Sequence, residues 1–315
     1  MGLYRSVRAV TGASGDGPVD WNAVAEAAKA STEPGDLDLT AAEREGYASD
    51  VRDARARVSE VAGVEFDVPE TVEIQNRHHW IDANIDTFGR VMAPLEEQVG
   101  LMPGLARVAN TGSMSLALAF LGNNVLGQYD PLLLADTDDH ALYFVHPNIG
   151  KVAEMLHVEE PRFRRWIAFH EVTHAAEFGA APWLADELES DLETAIDALT
   201  DGRLDRDALA SLDTTMTAVE GYAELLMDEA FDGEYADLRR KLDERRSGRG
   251  PVAKLVRRLL GLGMKRRQYE RGKEFFEAVA AERGVEGASV VWERPENLPT
   301  DAELDDPKQW LARVQ

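Results

Sequence analysis

The amino-acid sequence predicts an α+β protein in which helices dominate and the sheet is small. Apolar residues recur at intervals of three and four over much of the chain, whereas a single segment, residues 141–145, has the clear composition of a strand. The chain has 315 residues, of which 44% are hydrophobic, and this is enough for a substantial core. We therefore expect a folded globular protein.

Helical spacing over residues 20–65 predicts two helices, separated by the turn signal Pro34-Gly35. A short strand can begin near Glu73, and the mostly apolar stretch 106–126 is again helical. The N-terminal part of the chain, residues 1–95, is therefore predicted to form a helical lobe. Residues 96–315 would form a second lobe, continuous with the first.

The aromatic and β-branched run 141–145 is predicted to be a strand that stops before Pro147. We expect it to be the edge strand of the sheet, placed before the long helix that follows. Asn148 is a candidate cap for the helix after the strand.

Pro161 stands where a helix can begin, and apolar and histidine residues then recur at helical spacing as far as Gly179. A second long helix is predicted over residues 213–231. Between these two helices, the acidic segment 186–207 is expected to form one exposed helix and a turn. The run 247–251, Ser-Gly-Arg-Gly-Pro, is the most obvious flexible joint.

The charge of the chain is strongly negative, with 34 basic and 58 acidic residues and a formal net charge of −24. Such a surface repels nucleic acids and anionic membranes, so neither is expected as a partner. Few of the basic residues are Lys, and an acidic, Lys-poor surface is also typical of proteins that work in concentrated salt. We interpret the source as halophilic.

The chain contains no Cys, which excludes disulfides and thiolate metal sites. Any transition metal must therefore be bound by His and carboxylate side chains. The N-terminus lacks the apolar region of a secretory signal, and the most apolar stretch, 113–126, is too short to span a membrane. We expect a cytoplasmic protein.

The sequence His170-Glu171-Val172-Thr173-His174 carries the chemistry. Residues four apart share one face of a helix, so both imidazoles can bind one zinc ion while Glu171 lies beside it. Glu171 would then be the general base of a hydrolysis. The alternative is an ordinary helix with two hydrogen-bonded histidines, but three adjacent titratable groups on a buried helix need partners or a metal.

Catalytic zinc usually has three protein ligands and a water. The extended motif that adds a third His downstream is absent, because Glu177 and Ala180 stand at the corresponding positions. Glu220 is the better candidate, since it lies beside apolar residues of the predicted 213–231 helix and would need a strong partner. Glu224, four residues later, could accept the outer ring N–H of a zinc-bound His. The alternative for both is a solvated acidic helix face.

The pattern His-Glu-x-x-His followed by a downstream Glu resembles the gluzincin class of metallopeptidases. Several short runs are also similar to the zincin-like metallopeptidase type 2 family of archaea and actinobacteria. These runs, which together span about residues 70 to 315, are Phe169–His174, Ala181–Leu184, Val125–Asp130, Pro147-Asn148, Glu220-Gly221, Lys265, Gln268-Tyr269, Gly272 and Leu298–Thr300. The resemblance implies a helix-rich zincin fold and a zinc-dependent hydrolase whose relatives are often associated with deazaflavin coenzyme biosynthesis.

A hydrolase of this kind also needs a donor that stabilises the tetrahedral oxyanion. Tyr222, Tyr269 and His146 are chemically able to do this, and the sequence does not choose among them. Tyr222 departs from the family pattern, in which many relatives carry His. For each of the three residues, a packing role is the alternative.

Residues 239–273 form a basic segment, with 14 Lys and Arg against three acidic residues in an otherwise acidic chain. The segment could bind an anionic partner, but we favour the interpretation that it folds back onto acidic parts of the same chain. Three functions therefore remain open. The first is a zinc peptidase. The second is a zinc protein without peptidase activity, either a hydrolase of a small amide or a regulatory relic. The third is a helical binding module that uses the basic segment to hold an anionic partner.

Overall fold

The structure is a computed structural model that describes residues 2–15, 17–64, 69, 71–96, 103–130, 141–200, 203–231, 233, 235–246 and 265–314. Helices dominate these residues, and a three-stranded mixed sheet completes the fold. The predicted fold class, α+β with a helix majority, is confirmed. The predicted joint at 247–251 and the middle of the basic segment lie outside the described residues.

The helices and strands are numbered along the chain. The helices are α1 (Gly2–Thr11), α2 (Trp21–Ala30), α3 (Ala41–Ala62), α4 (Arg77–Glu96), α5 (Pro103–Gly122), α6 (His146–Leu156), α7 (Glu160–Ala180), α8 (Trp183–Thr200), α9 (Arg206–Phe231), α10 (Ala236–Arg246), α11 (Lys265–Ser289), α12 (Asp301–Asp305) and α13 (Pro307–Arg313). Two short 3-10 helices, Val290–Trp292 and Pro295–Asn297, follow α11. The strands are β1 (Thr71–Gln75), β2 (Gly127–Asp130) and β3 (Ala141–Val145).

The chain divides into two compact units, each built from several segments. The first unit contains Met1–Arg44, Pro69–Val152 and Leu192–Arg206, and the second contains Glu45–Val68, Ala153–Asp191 and Asp207–Gln315. This division differs from the predicted boundary between residues 95 and 96. The chain passes between the units more than once. The spacing of apolar residues predicts helices and strands, but it does not predict which unit each of them joins.

The first unit contains the sheet, whose strand order is β1-β3-β2. Strand β3 pairs in parallel with β1 and antiparallel with β2, so both of its edges are occupied. The prediction that residues 141–145 form an edge strand is therefore wrong. The apolar composition that marked this segment as a strand fits its central position, since Leu142, Phe144 and Val145 are fully buried.

Helix α6 follows β3 directly, so Asn148 lies in the first turn of the helix and not at its cap. Its side chain is buried, and the amide nitrogen donates to the carbonyl oxygens of Gly122 at 2.9 Å and Val125 at 2.7 Å. The guanidinium of Arg77 in turn donates to the Asn148 amide oxygen at 2.6 Å. Asn148 therefore satisfies the free carbonyls at the end of α5.

The core of the first unit is formed by α2, α4, α5 and β3. The buried residues in contact there are Val24, Ala28, Trp80, Ile81, Leu118, Ala119 and Val145. The predicted helices within 20–65 and 106–126 are confirmed as α2, α3 and α5. No helix of the described residues has both the length and the hydropathy required to cross a membrane.

In the second unit, a buried ion pair connects α7 to α3. The Arg164 guanidinium donates to the Asp50 carboxylate at 2.7 Å, and both side chains are almost inaccessible to solvent. Burial raises the pKa of Asp50 even though Arg164 and Arg165 oppose this shift. The pair is thus held at a desolvation cost, and each charge depends on the other.

We expect Asp50→Ala to lower the free energy of unfolding by about 3–5 kcal/mol, because the Arg164 charge would stay buried without its partner. The matched control is Asp53→Ala. Asp53 pairs with Arg165 at 2.7 Å at the surface, and its loss should cost about 1 kcal/mol or less. Urea unfolding of both variants measures the difference, and equal effects would contradict the structural role of the buried pair.

Helices α9 and α11 of the second unit meet in backbone contact at Gly221 and Gly272. A Cβ atom added at Gly221 would overlap the backbone of Gly272, and one added at Gly272 would lie 2.9 Å from the Gly221 Cα. Only glycine at both positions allows this approach. The contact is adjacent in sequence to Glu220 and therefore limits where that side chain can lie.

We expect Gly272→Ala to destabilise the protein by about 1–3 kcal/mol, since the methyl group forces the two helices apart. Gly89→Ala is the control, because Gly89 lies in α4 with its nearest neighbour 3.8 Å from the added Cβ. There the better helix propensity of Ala should leave stability unchanged or raised by up to about 1 kcal/mol. Thermal unfolding of the two variants tests the contact, which a neutral Gly272→Ala would disprove.

Candidate metal centre

Helix α7 carries His170, Glu171 and His174 in the second unit. Pro161 lies in its first turn, where a missing N–H is tolerated. The two histidines are half-buried, and Glu171 is 7% exposed. The predicted helix and its two histidines on one face are thus found in the structure.

The imidazole rings of His170 and His174 converge. Their Nε2 atoms are 3.3 Å apart, and the rings are nearly perpendicular, with an interplanar angle of 78°. Zinc–nitrogen bonds of about 2.0–2.1 Å at tetrahedral angles place neighbouring donor atoms roughly 3.3 Å apart. The separation of the two nitrogens therefore suits one tetrahedral ion.

Glu220 of α9 is the third group at this point, as predicted from the sequence. Its Oε2 atom lies 3.9 Å from His174 Nε2, and donor atoms of Glu220 and the two histidines all lie within 4.8 Å of one another. The same Oε2 is buried and has no hydrogen-bond partner. A buried carboxylate oxygen without a donor needs a positive partner, and a bound zinc ion would supply it.

Aromatic packing holds α7 against the C-terminal end of α9. Phe231 of α9 stacks on Trp166 with ring centroids 5.3 Å apart and tilts against Phe169 at 4.5 Å. Trp166 lies about one turn before His170 on the same helix, and Phe169 directly precedes His170. They fix the relative position of the two helices that carry the His pair and Glu220.

Glu177 was not predicted as a site residue, yet it contacts His174 directly. Its Oε2 lies 2.8 Å from His174 Nδ1, and the residue is 1% exposed. Its other oxygen, Oε1, is buried without a hydrogen-bond partner. The available sequence signal was the position of Glu177, three residues after His174 on the same helix, which brings the two side chains together.

Glu224 was predicted to support a zinc-bound His, but the structure pairs its carboxylate with Arg239 of α10. The carboxylate at Nδ1 of His174 is that of Glu177. The pairing with Arg239 depends on how α10 packs on α9, which helical spacing alone does not predict. A contact between Glu224 and a zinc-bound His stays a prediction, whereas Glu177 is the carboxylate that contacts His174.

Tyr222 was predicted as one possible oxyanion donor, and the structure buries it between α9 and α11. Its hydroxyl lies 2.7 Å from Ser289 Oγ, whose own hydrogen is directed to a backbone carbonyl of Ala62 or Val285. The Tyr222 hydrogen is therefore committed to Ser289. Burial raises the pKa of Tyr222, in agreement with this enclosed position.

The other two predicted oxyanion donors lie on elements other than α7 and α9. His146 begins α6 in the first unit, whereas the metal ligands belong to the second. Tyr269 lies in α11, and its side chain is outside the described residues. A role for either residue stays a prediction.

The described part of the basic segment binds to the chain itself, as favoured from the sequence. Arg239 pairs with Glu224 and Asp228 of α9, and Lys273 donates to Asp228 at 2.8 Å. Arg271 donates to Asp301 and Asp305, the first and last residues of α12. At these three positions the positive charge is used within the second unit.

Residues 19–203 and 197–311 match the profile of the zincin-like metallopeptidase family. The chain belongs to this family. A solved structure from Chloroflexus aurantiacus, described as a hydrolase candidate with a novel fold, is 34% identical and superimposes with a TM-score of 0.78. The match covers 94% of this chain and 98% of that one.

The comparison with curated proteins gave no match. The family and the structural neighbour support a hydrolase, and membership in a zincin-like family implies zinc. The donor set of two imidazoles and one carboxylate fits that ion, because zinc accepts nitrogen and oxygen ligands in tetrahedral sites.

Burial and charge act in opposite directions on His174. Burial alone would lower its pKa, but the hydrogen bond to Glu177 and the charges of Glu177, Glu220 and Glu171 raise the pKa to about 9. Burial also raises the pKa of Glu177, and the contact with His174 only partly offsets this shift. In the metal-free protein, the His174 ring is therefore positively charged at neutral pH, with a proton on each of its two nitrogens.

Zinc must displace this proton, so we expect its affinity to rise about tenfold per pH unit between pH 7 and the pKa of His174. The metal-free protein should show the opposite trend. A raised His pKa stabilises the fold fully below about pH 6.5, and this contribution is lost as pH rises towards 9.

Melting temperatures with and without zinc from pH 6 to 9 test this linkage. The increment produced by zinc should grow with pH. Magnesium, which prefers oxygen ligands, is the control and should produce little increment at any pH. A zinc increment that stays constant or shrinks over this range would show that His174 does not bind the ion.

Proposed function

We propose that this member of the zincin-like family is a zinc-dependent metallopeptidase of the gluzincin type. His170, His174 and Glu220 would hold the ion. The observation that carries the proposal is the buried Oε2 of Glu220, which lacks a hydrogen-bond donor and lies 3.9 Å from His174 Nε2. A carboxylate so placed is explained by a cation between it and the imidazoles.

Bound zinc would supply Lewis-acid chemistry, polarising a substrate carbonyl and lowering the pKa of water to about 7. Glu171 would act as the base. It follows the ligand His170 on α7 and is largely shielded from solvent. Its carboxylate would take the proton of the attacking water as the new carbon–oxygen bond forms. It would then give that proton to the amine nitrogen as the carbon–nitrogen bond breaks.

An amide is the substrate class that fits this chemistry, and the family description favours a peptide. A strand with a free edge can pair with an extended peptide, which would favour a peptide substrate. Strand β3, however, is paired on both sides and has no such edge. The preference for a peptide over a small amide therefore rests on the family and on the ligand set.

Two variants separate metal binding from catalysis. Glu171→Gln should keep stoichiometric zinc but lower the turnover of a peptide library by about 10²–10⁴-fold, because the base is lost and the ligands remain. Glu220→Ala should lose zinc and turnover together, since only two protein ligands would remain. Glu154→Gln, an exposed carboxylate in α6, is the control and should behave like the wild type.

Metal analysis and digestion assays give distinct outcomes. Zinc without any peptide cleavage would favour a zinc protein acting on a small amide or serving a regulatory role. Unchanged turnover in Glu171→Gln would reject Glu171 as the base. A wild type without zinc would reject both zinc functions and leave the helical binding module, although Arg239, Arg271 and Lys273 already bind acidic residues of the same chain.

A further inference from the structure

Glu177 is a buried carboxylate that the proposed reaction does not use. Its side chain is completely enclosed, and one oxygen contacts the ring of His174. We propose that Glu177 is a positioning residue of the metal centre, which orients His174 and adds a negative charge next to the imidazole that would bind the ion. The inference rests on the proposed zinc site, but it can be tested without any assay of hydrolysis.

The orientation of His174 follows from its two ring nitrogens. Nδ1 lies 2.8 Å from Glu177 Oε2, and a carboxylate there accepts a hydrogen, so Nδ1 carries the proton. In the neutral ring, Nε2 is then the free lone pair, and this atom faces His170 at 3.3 Å and Glu220 at 3.9 Å. Glu177 thereby selects the tautomer that can bind a metal.

The charge of Glu177 is unfavourable for the fold alone. Its Oε1 is buried without a close hydrogen-bond partner, and such an oxygen normally costs stability, although the backbone N–H of Ala223 favours the charge. A neutral side chain at this position would avoid the cost. Beside a zinc ion held by His170, His174 and Glu220, the negative charge of Glu177 would instead be favourable, because it makes the His174 imidazole a stronger ligand.

The alternative role for Glu177 is packing. A cavity of about 190 Å³ in the second unit is lined by residue 177 together with Ala180, Tyr222 and Trp292, but the Glu177 side chain itself is fully enclosed. Loss of packing would lower stability, whereas loss of the contact with His174 would lower zinc affinity. The specific feature of Glu177 is its contact with His174.

The experiment measures zinc affinity by competition with a chelator at one fixed pH, for Glu177→Leu, Glu177→Gln and the control Glu154→Gln. Glu177→Leu removes both acceptor and charge, and we expect affinity to fall about 10–100-fold. Glu177→Gln keeps an acceptor for the Nδ1 hydrogen but loses the charge, so a smaller fall is expected. Glu154→Gln, an exposed carboxylate in α6, should keep the zinc affinity of the wild type.

A purely structural role would lower the melting temperature of the metal-free variants but leave their zinc affinity unchanged. That result, or a loss in Glu154→Gln as large as that in Glu177→Leu, would overturn the inference. If Glu177→Leu does not fold by circular dichroism, the ratio of affinities for Glu177→Gln and the wild type decides alone, and a ratio of one rejects the proposal.

The inference and the proposed function can fail separately. Weak zinc binding in the Glu177 variants of a protein that cleaves no amide would support the positioning role while the peptidase assignment fails. Equal zinc affinity in all variants of an active peptidase would reject the positioning role alone. A wild type that binds no zinc would reject both.

Discussion

The backbone contact between Gly221 and Gly272 is the constraint on which the metal centre depends. Because α9 and α11 touch there without intervening side chains, neither position can carry a side chain larger than that of glycine unless the helices move apart. Glu220 precedes this contact by one residue, and its carboxylate has to meet two imidazoles from another helix. The position of the Glu220 carboxylate relative to the two imidazoles thus depends on how the helices pack.

The metal-free centre combines charges that burial disfavours. Glu177 and Glu220 each have a buried oxygen without a hydrogen-bond partner, and they flank His174. Most folds would replace such a group by apolar residues, since a buried carboxylate oxygen without a hydrogen-bond donor costs stability. Their presence together is consistent with a site whose lowest free energy is reached when a cation is bound.

Helix periodicity and one motif predicted much of this arrangement. The spacing of His170 and His174, the absence of Cys and the apolar surroundings of Glu220 led to the ligand set that the structure brings together. Contacts between elements that are distant in sequence could not be predicted. Arg239 reaches Glu224 from α10, and β3 lies between two strands, because tertiary topology and not local pattern decides such neighbours.

The pairing of Arg239, Arg271 and Lys273 with acidic side chains has a consequence for the electrostatics of the whole chain. These residues act as tethered counterions within a protein whose formal net charge is −24. Free cations around such a surface are lost on dilution of salt, whereas tethered ones keep their local concentration. These basic side chains therefore reduce repulsion among the acidic residues of the second unit even when the salt concentration of the solution is low.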